Sequence, residues 1–228
     1  MSTQNAIAPT LQRATELSDW CFSGGKRWMD MLVSTVALVI SAPLLACVAL
    51  AVKFSSPGPI LFRQQRLGAG GSEFYLLKFR TMYDSAGRPG LGLTARGDRR
   101  ITRIGAMLRT SKLDELPQLF NVLRGEMTLV GPRPDLPRYM DSLQDSRKQV
   151  LLLTPGVTGP ASLQYHDEES LLASVPPGQL EQFYVTELLP RKVALDLEYA
   201  RQASMLGDLH ILLRTFLAIL PRTSKNSN

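Results

Sequence analysis

Residues 31–52, MLVSTVALVISAPLLACVALAV, decide the fold: 22 positions without a charge, Ser34, Thr35 and Ser41 the only hydroxyls, and Pro43 close to the centre. As one straight helix the run would measure about 33 Å, enough to cross a bilayer. Soluble core helices are usually shorter, so membrane association is expected. A cleaved leader is not expected, because the run starts 30 residues in and no small-residue cleavage site follows before Lys53. Two details count against a simple crossing. Pro43 removes a helical hydrogen bond and bends the axis. Basic residues flank both ends, Lys26 and Arg27 before and Lys53, Arg63 and Arg66 after, whereas a crossing gathers Lys and Arg on one side. A re-entrant hairpin broken at Pro43 returns both ends to one face, and Ser41 can bond backwards to a freed carbonyl. On the residues alone, the straight span and the hairpin both stand.

Charge is uneven along the rest of the chain. Between Ile60 and Lys112 eleven Lys or Arg face three acids, a net of +8 in a chain of net +6. That basic middle suits a phosphate-bearing partner such as anionic lipid or a phosphorylated small molecule. Nucleic acid is not expected, since aromatic stacking platforms are scarce. The two cysteines, Cys21 and Cys47, make no disulfide framework, and His166 and His210 have no metal-ligand spacing.

Outside the apolar run the pattern predicts mainly helix with one small β hairpin. Residues 1–25 are polar, with Gly24 and Gly25 as a break, and Ser55-Ser56-Pro57-Gly58-Pro59 ends the membrane segment. Strands are predicted at 60–62 and 74–79 around the glycine turn 68–71, then a polar loop over 84–100. Helices are predicted at 104–110 and at 114–124, the second with Leu116, Leu119, Phe120 and Leu123 on one face and Gly125 as its C-cap. Further helix is predicted near 136–152 and over 179–203. A last one, 209–220, places Leu209, Leu212, Leu213, Phe216 and Leu220 on one stripe. By periodicity that stripe suits either an interfacial or a core helix.

The residues that carry chemistry are Asp114 and Glu115. Adjacent carboxylates repel, so both stay ionised only where cations or donors stabilise them. Held that way, a carboxylate can act as a nucleophile or bind a divalent cation. Arg109, about one helical turn earlier, with Lys78, Arg80 and Arg133, are the candidate phosphate clamps. A solvated helix start is the plain alternative for the acids.

Six ordered motifs match one family together: Lys26-Arg27-Trp28-Met29-Asp30 before the Pro43 run; Ser56-Pro57-Gly58-Pro59-Ile60; Lys78-Phe79-Arg80-Thr81-Met82; Leu113-Asp114-Glu115-Leu116-Pro117-Gln118-Leu119-Phe120-Asn121-Val122; Val130-Gly131-Pro132-Arg133-Pro134; and Pro155-Gly156-Val157-Thr158-Gly159. From about Lys26 to Leu220 the chain resembles the bacterial sugar transferases, the monotopic phosphoglycosyl transferases. The resemblance implies transfer of a sugar phosphate from a UDP-sugar to undecaprenyl or another polyprenyl phosphate, with Mg²⁺, at the cytoplasmic face of the bacterial inner membrane. It implies Asp114 as nucleophile, Glu115 as metal ligand or positioner, with Asp114 also near the metal, and a re-entrant hairpin at Pro43 and Ser41. It divides the chain into a polar segment 1–25, a membrane hairpin 26–54, a catalytic domain 55–221 with interfacial helices, and a tail 222–228. It leaves room for a homodimer.

The chain departs from the family pattern in two places. Ala42 stands directly before Pro43 where many members have serine. Residues 160–169 replace a Trp-Ala-Gln run, and His166 stands where an arginine is expected. His166 is assigned no catalytic role. A non-catalytic alternative is a membrane-tethered basic module that holds anionic lipid or a partner.

Overall fold

A computed structural model describes residues 17–83, 93–94, 97–143 and 148–219. The long apolar helix, α1 (Gly24–Ser55), continues through Pro43 as helix. Ser23 caps it, accepting from the Lys26 amide at 3.0 Å. The Ser41 hydroxyl bonds backwards, as expected, but to the Ala37 carbonyl at 2.6 Å. The carbonyl that Pro43 deprives of its donor is that of Val39, four residues back.

One stripe of α1 is buried: Lys26, Asp30, Ser34, Leu38, Val48 and Val52. The opposite face is bare, with Ile40 75% and Phe54 84% exposed. Both ends of α1 lodge in the same body. Near its start, Arg27 donates to the Val122 and Leu123 carbonyls at 2.5 and 2.8 Å. At its end, Arg80 donates to the Val52 and Ser56 carbonyls at 3.2 and 2.6 Å. Asp30, in the apolar helix, accepts from Thr128 Oγ1 at 2.5 Å and the Leu129 amide at 3.1 Å.

The hairpin forms as β1 (Leu61–Leu67) and β2 (Glu73–Phe79), antiparallel, with Leu61 opposite Phe79 and Leu67 opposite Glu73. β1 outruns its expected span because its polar second half still pairs in the ladder. The buried Asn121 side chain ties β2 from outside, accepting from the Leu77 amide at 3.0 Å and donating to the Tyr75 carbonyl at 2.8 Å. Part of the 84–100 loop lies outside the described residues.

α2 (Arg103–Thr110) follows, capped by Thr102 through the Gly105 amide at 2.8 Å. The helix expected at 114–124 is split. Residues Leu113–Glu115 form a 3₁₀ turn, and α3 (Gln118–Arg124) starts only after Pro117. The turn is entered through Lys112 at φ 55°, the one non-glycine with positive φ among the described residues. Gly125, at φ 84°, ends α3 as expected.

A parallel pair, β3 (Thr128–Val130) and β4 (Gly156–Thr158), is built at the Val130–Pro134 and Pro155–Gly159 motifs. Here the two Gly-Pro motifs find their reason. A Cβ on Gly156 would stand 2.2 Å from the Gly131 amide nitrogen, and one on Gly159 would stand 2.4 Å from the Gly131 oxygen. Backbone meets backbone with no room for a side chain.

The helix expected near 136–152 is reduced to α4 (Pro137–Met140) and a 3₁₀ turn at Lys148–Leu152, the residues between being only partly described. α5 (Pro160–Gln164) and α6 (Glu168–Ala173) come next. The 179–203 stretch is helical but mixed: α7 (Leu180–Phe183), a π segment (Tyr184–Leu188), then α8 (Leu189–Gln202) with Pro190 in its first turn. A proline there cannot donate, and a one-residue slip of register accommodates it.

α9 (Met205–Ile219) begins four residues earlier than expected. Leu209, Leu213 and Phe216 of the predicted stripe are exposed, which favours the interfacial alternative. Leu220 and the 222–228 tail lie outside the described residues. The main core joins α4, the π segment and α8 through Tyr139, Leu172, Tyr184, Leu188 and Val193. A second core packs Leu38 of α1 against Phe74, Leu119 and Val122.

Candidate active site

β2 and the 3₁₀ turn bring Lys78 against Glu115, and the β3–α4 connection brings Arg133 to the same carboxylate. Lys78 Nζ donates to Glu115 Oε1 at 2.8 Å, and the two Arg133 nitrogens reach Oε1 at 2.6 Å and Oε2 at 3.3 Å. Burial alone would raise the Glu115 pKa, but Arg133 and Lys78 together hold it well below the usual carboxylate range. Burial pushes the Lys78 ammonium down against the pull of Glu115. The facing Glu115 charge raises Arg133.

Asp114 is treated differently. It is only 5% exposed, and its Oδ1 is buried without a hydrogen-bond partner. Burial raises its pKa, with Lys78 opposing and the Glu115 charge adding to the rise. The left-handed Lys112 just before it is the kind of backbone outlier that gathers at functional sites. An unpartnered carboxylate oxygen beside a fully engaged one has the chemistry to meet an electrophile or a cation.

Both acids line a cleft of about 1780 Å³. Its polar wall carries Lys78, Arg109, Arg133 and Lys192. Its other side is apolar, formed by Val33 and Ala37 of α1 with Leu212 and Phe216 of α9. Arg109 donates to Glu169 Oε1 from Nε at 2.9 Å and Nη2 at 2.5 Å, and reaches Thr81 Oγ1 at 3.4 Å.

Of the predicted clamps, Lys78, Arg109 and Arg133 are thus gathered at the cleft. Arg80 lines the same cleft, but its guanidinium is engaged elsewhere. Its terminal nitrogens bond Pro59, Val52 and Ser56 acceptors, so its guanidinium closes the C-terminus of α1 rather than presenting a free fork to phosphate. The sequence order of Lys78 and Arg80 on one strand end looked alike for both; tertiary contact separates them. His166 is exposed at the cleft mouth.

Lys192, Tyr184 and Asp135 were missed. The Tyr184 hydroxyl donates to Asp135 Oδ2 at 2.6 Å, and Lys192 Nζ donates to Glu168 Oε2 at 3.0 Å and the Tyr184 hydroxyl at 3.3 Å. No local spacing joins residues 49 positions apart. Among the described residues no three His, Cys, Asp or Glu gather as a metal cluster. Mg²⁺ does not need one, since it takes one or two carboxylates and completes its shell with water and substrate phosphate. The unpartnered Asp114 oxygen fits that demand.

The cleft gathers Lys and Arg side chains around a carboxylate pair, a chemistry suited to phosphate, and α1 is long and apolar enough to cross a membrane. Residues 22–222 match the model of the bacterial sugar transferase family, and the chain belongs to that family. It is 39% identical over 198 residues to a UDP-glucose:undecaprenyl-phosphate glucose-1-phosphate transferase of Caulobacter vibrioides, covering 86% of this chain and 69% of that one. It is 39% identical over 213 residues to an undecaprenyl-phosphate glucose phosphotransferase of Komagataeibacter xylinus, covering 90% of this chain but 37% of the relative. It is 34% identical over 209 residues to an exopolysaccharide production protein of Sinorhizobium fredii, covering 85% and 84%. The chain therefore spans little more than a third of the Komagataeibacter protein.

Proposed function

We propose that the chain transfers a sugar 1-phosphate from a UDP-sugar to undecaprenyl or a related polyprenyl phosphate, as the membrane step that starts a glycoconjugate or exopolysaccharide. The observation that carries this reading is the buried Asp114 carboxylate, whose Oδ1 has no partner while Glu115 beside it is saturated by Lys78 and Arg133. An Asp114 oxygen attacks the β-phosphorus, the bond to the α-phosphate oxygen breaks, and UMP leaves with that oxygen. A phosphate oxygen of the lipid then attacks the same phosphorus, the bond to Asp114 breaks, and the carboxylate is restored with the lipid diphosphate sugar as product. Covalent catalysis lets a soluble and a membrane-bound substrate use one small cleft in turn.

Anion meets anion in both steps, so the cations decide the rate. Lys78 and Arg133 hold Glu115 ionised and offset phosphate charge, and Arg109 faces the same space. Asp114 and Glu115 would hold Mg²⁺, which supplies Lewis-acid charge at the phosphate oxygens. The apolar side of the cleft suits the polyprenyl chain. The names of the relatives, which act on UDP-sugars and undecaprenyl phosphate, support the substrate class.

Features of α1 support the membrane placement. Its basic flanks, Pro43, and the docking of both its ends on one body favour a helix that enters and leaves by the cytoplasmic face of the inner membrane. The test is UMP release across a panel of UDP-sugars with undecaprenyl phosphate and Mg²⁺, with ³²P in the β-position. Label retained on Asp114 is the expected result; direct transfer through a ternary complex, or full activity in Asp114→Asn, rejects it.

A further inference from the structure

Resting on the transferase reading, one further feature of the cleft concerns how its cations are kept. Glu168 and Glu169, neighbours in the first turn of α6, each hold one cleft cation: Glu168 takes Lys192 at 3.0 Å and Glu169 takes Arg109 at 2.5 Å. The pairs are lopsided. Lys192 has a side-chain exposure of 6% against 25% for Glu168, and Arg109 has 21% against 33% for Glu169. The cations belong to the wall and the acids to its wet lip. Lys192 is further fixed by the Tyr184 hydroxyl and by the Tyr184 ring, 5.2 Å away.

Two carboxylates on consecutive residues thus place two anionic groups in the cleft, each against its own cation. By contrast, Glu115 is held by two cations within the wall and is 14% exposed. Two cations share it, whereas one cation holds each α6 glutamate. The α6 pairs are of the partly exposed kind that is worth little and yields to a better anion. A diphosphate offers more charge and bidentate geometry for Arg109 than a single carboxylate oxygen does.

We propose that Lys192 and Arg109 form the receptor for the substrate's diphosphate, and that Glu168 and Glu169 are internal place-holders which the diphosphate displaces. The glutamates keep one buried lysine and one half-buried arginine compensated and aimed while the cleft is empty. They also set an affinity ceiling, because every substrate must first break their pairs.

The experiment measures binding of inorganic pyrophosphate and of UDP to the full chain in nanodiscs, for wild type, Glu169→Gln, Glu168→Gln and Lys192→Met, with UMP release assayed on the same samples. Each glutamine variant is expected to bind both probes about two- to fivefold tighter, the effect of removing a competing pair of this exposure, and with a steeper salt dependence. Lys192→Met is expected to bind them at least about tenfold more weakly. Unchanged or weaker probe binding in both glutamine variants, with wild-type melting temperature, overturns the proposal and makes the acids mere positioning residues. If one glutamine variant fails to fold, the other decides. The two readings fail separately: tighter pyrophosphate binding without UMP release from any UDP-sugar leaves the receptor standing and sinks the transferase reading. Normal UMP release with unchanged probe binding does the reverse.

Discussion

Two buried aspartates divide the labour of this molecule. Asp208, at the start of α9, is fully buried and receives three donors: Trp20 Nε1 at 2.9 Å, Lys26 Nζ and Tyr199 Oη. It joins the entry to α1, the end of α8 and α9 in one knot, spanning 188 residues of chain. Asp114 is nearly as buried yet keeps one oxygen without a partner. A buried carboxylate costs little when saturated with donors and a great deal when it is not. The saturated one ties the fold together, and the unsaturated one is the group that the proposed chemistry uses.

The sharpest way to break that contrast is to remove each charge in turn. Asp114→Asn is expected to cut UMP release by roughly 10³-fold or more, the scale of losing a nucleophile, while thermal unfolding shows no loss of stability. Asp208→Asn is expected to do the opposite. It leaves Lys26 buried without its anion and lowers stability by about 3–5 kcal/mol, with release per folded molecule falling far less than in Asp114→Asn. If Asp208→Asn unfolds at the wild-type temperature, the knot is not structural.

A smaller effect tests the frame that carries Asp114. A Cβ on Gly105 would stand 2.0 Å from the Thr81 carbonyl oxygen, which also receives the Thr102 amide at 3.0 Å. Gly105→Ala is expected to cost about 1–3 kcal/mol by overpacking, read from chemical denaturation, and to lower activity by pushing the 78–82 strand end from the dyad.

The pH behaviour gives the finest comparison. Asp114 must be ionised to attack, and burial raises its pKa, so the acid limb of UMP release is expected above the ordinary carboxylate range. A limb at or below that range would contradict the burial. Asp196 is raised by burial from 3.8 to about 7, and accepts the Ala161 amide at 3.3 Å. Between those values the folded chain keeps a proton that the unfolded chain has shed, so stability falls as pH rises from about 4 to 7. In Asp196→Asn that slope is expected to flatten in melting temperatures taken across the window.

The contrast also explains what the sequence made legible. The hairpin, the apolar helix and the dyad lie in contiguous stretches where period, turn residues and charge are local signals. The dyad's helix was misjudged because Leu116, Leu119, Phe120 and Leu123 kept helical spacing across Pro117, while the backbone turned 3₁₀ through a left-handed Lys112. The Asp208 knot and the Lys192–Tyr184–Asp135 network were invisible for a different reason. Their members are brought together by long-range packing, and nothing in an isolated tryptophan, lysine or tyrosine announces a partner so distant in the chain. Arg80 illustrates the same limit: its basic neighbourhood predicted phosphate, and only the end of α1 arriving beside it gave it carbonyls instead.

That last contact makes the protein a ruler. Arg80 grips the end of α1, and Lys78 lies two residues back along the same strand, a separation of about 7 Å in extended chain. The end of α1 and the Lys78–Glu115 pair are therefore held one short length apart. On the proposed membrane placement, that length also sets how far from the lipid the carboxylate pair stands.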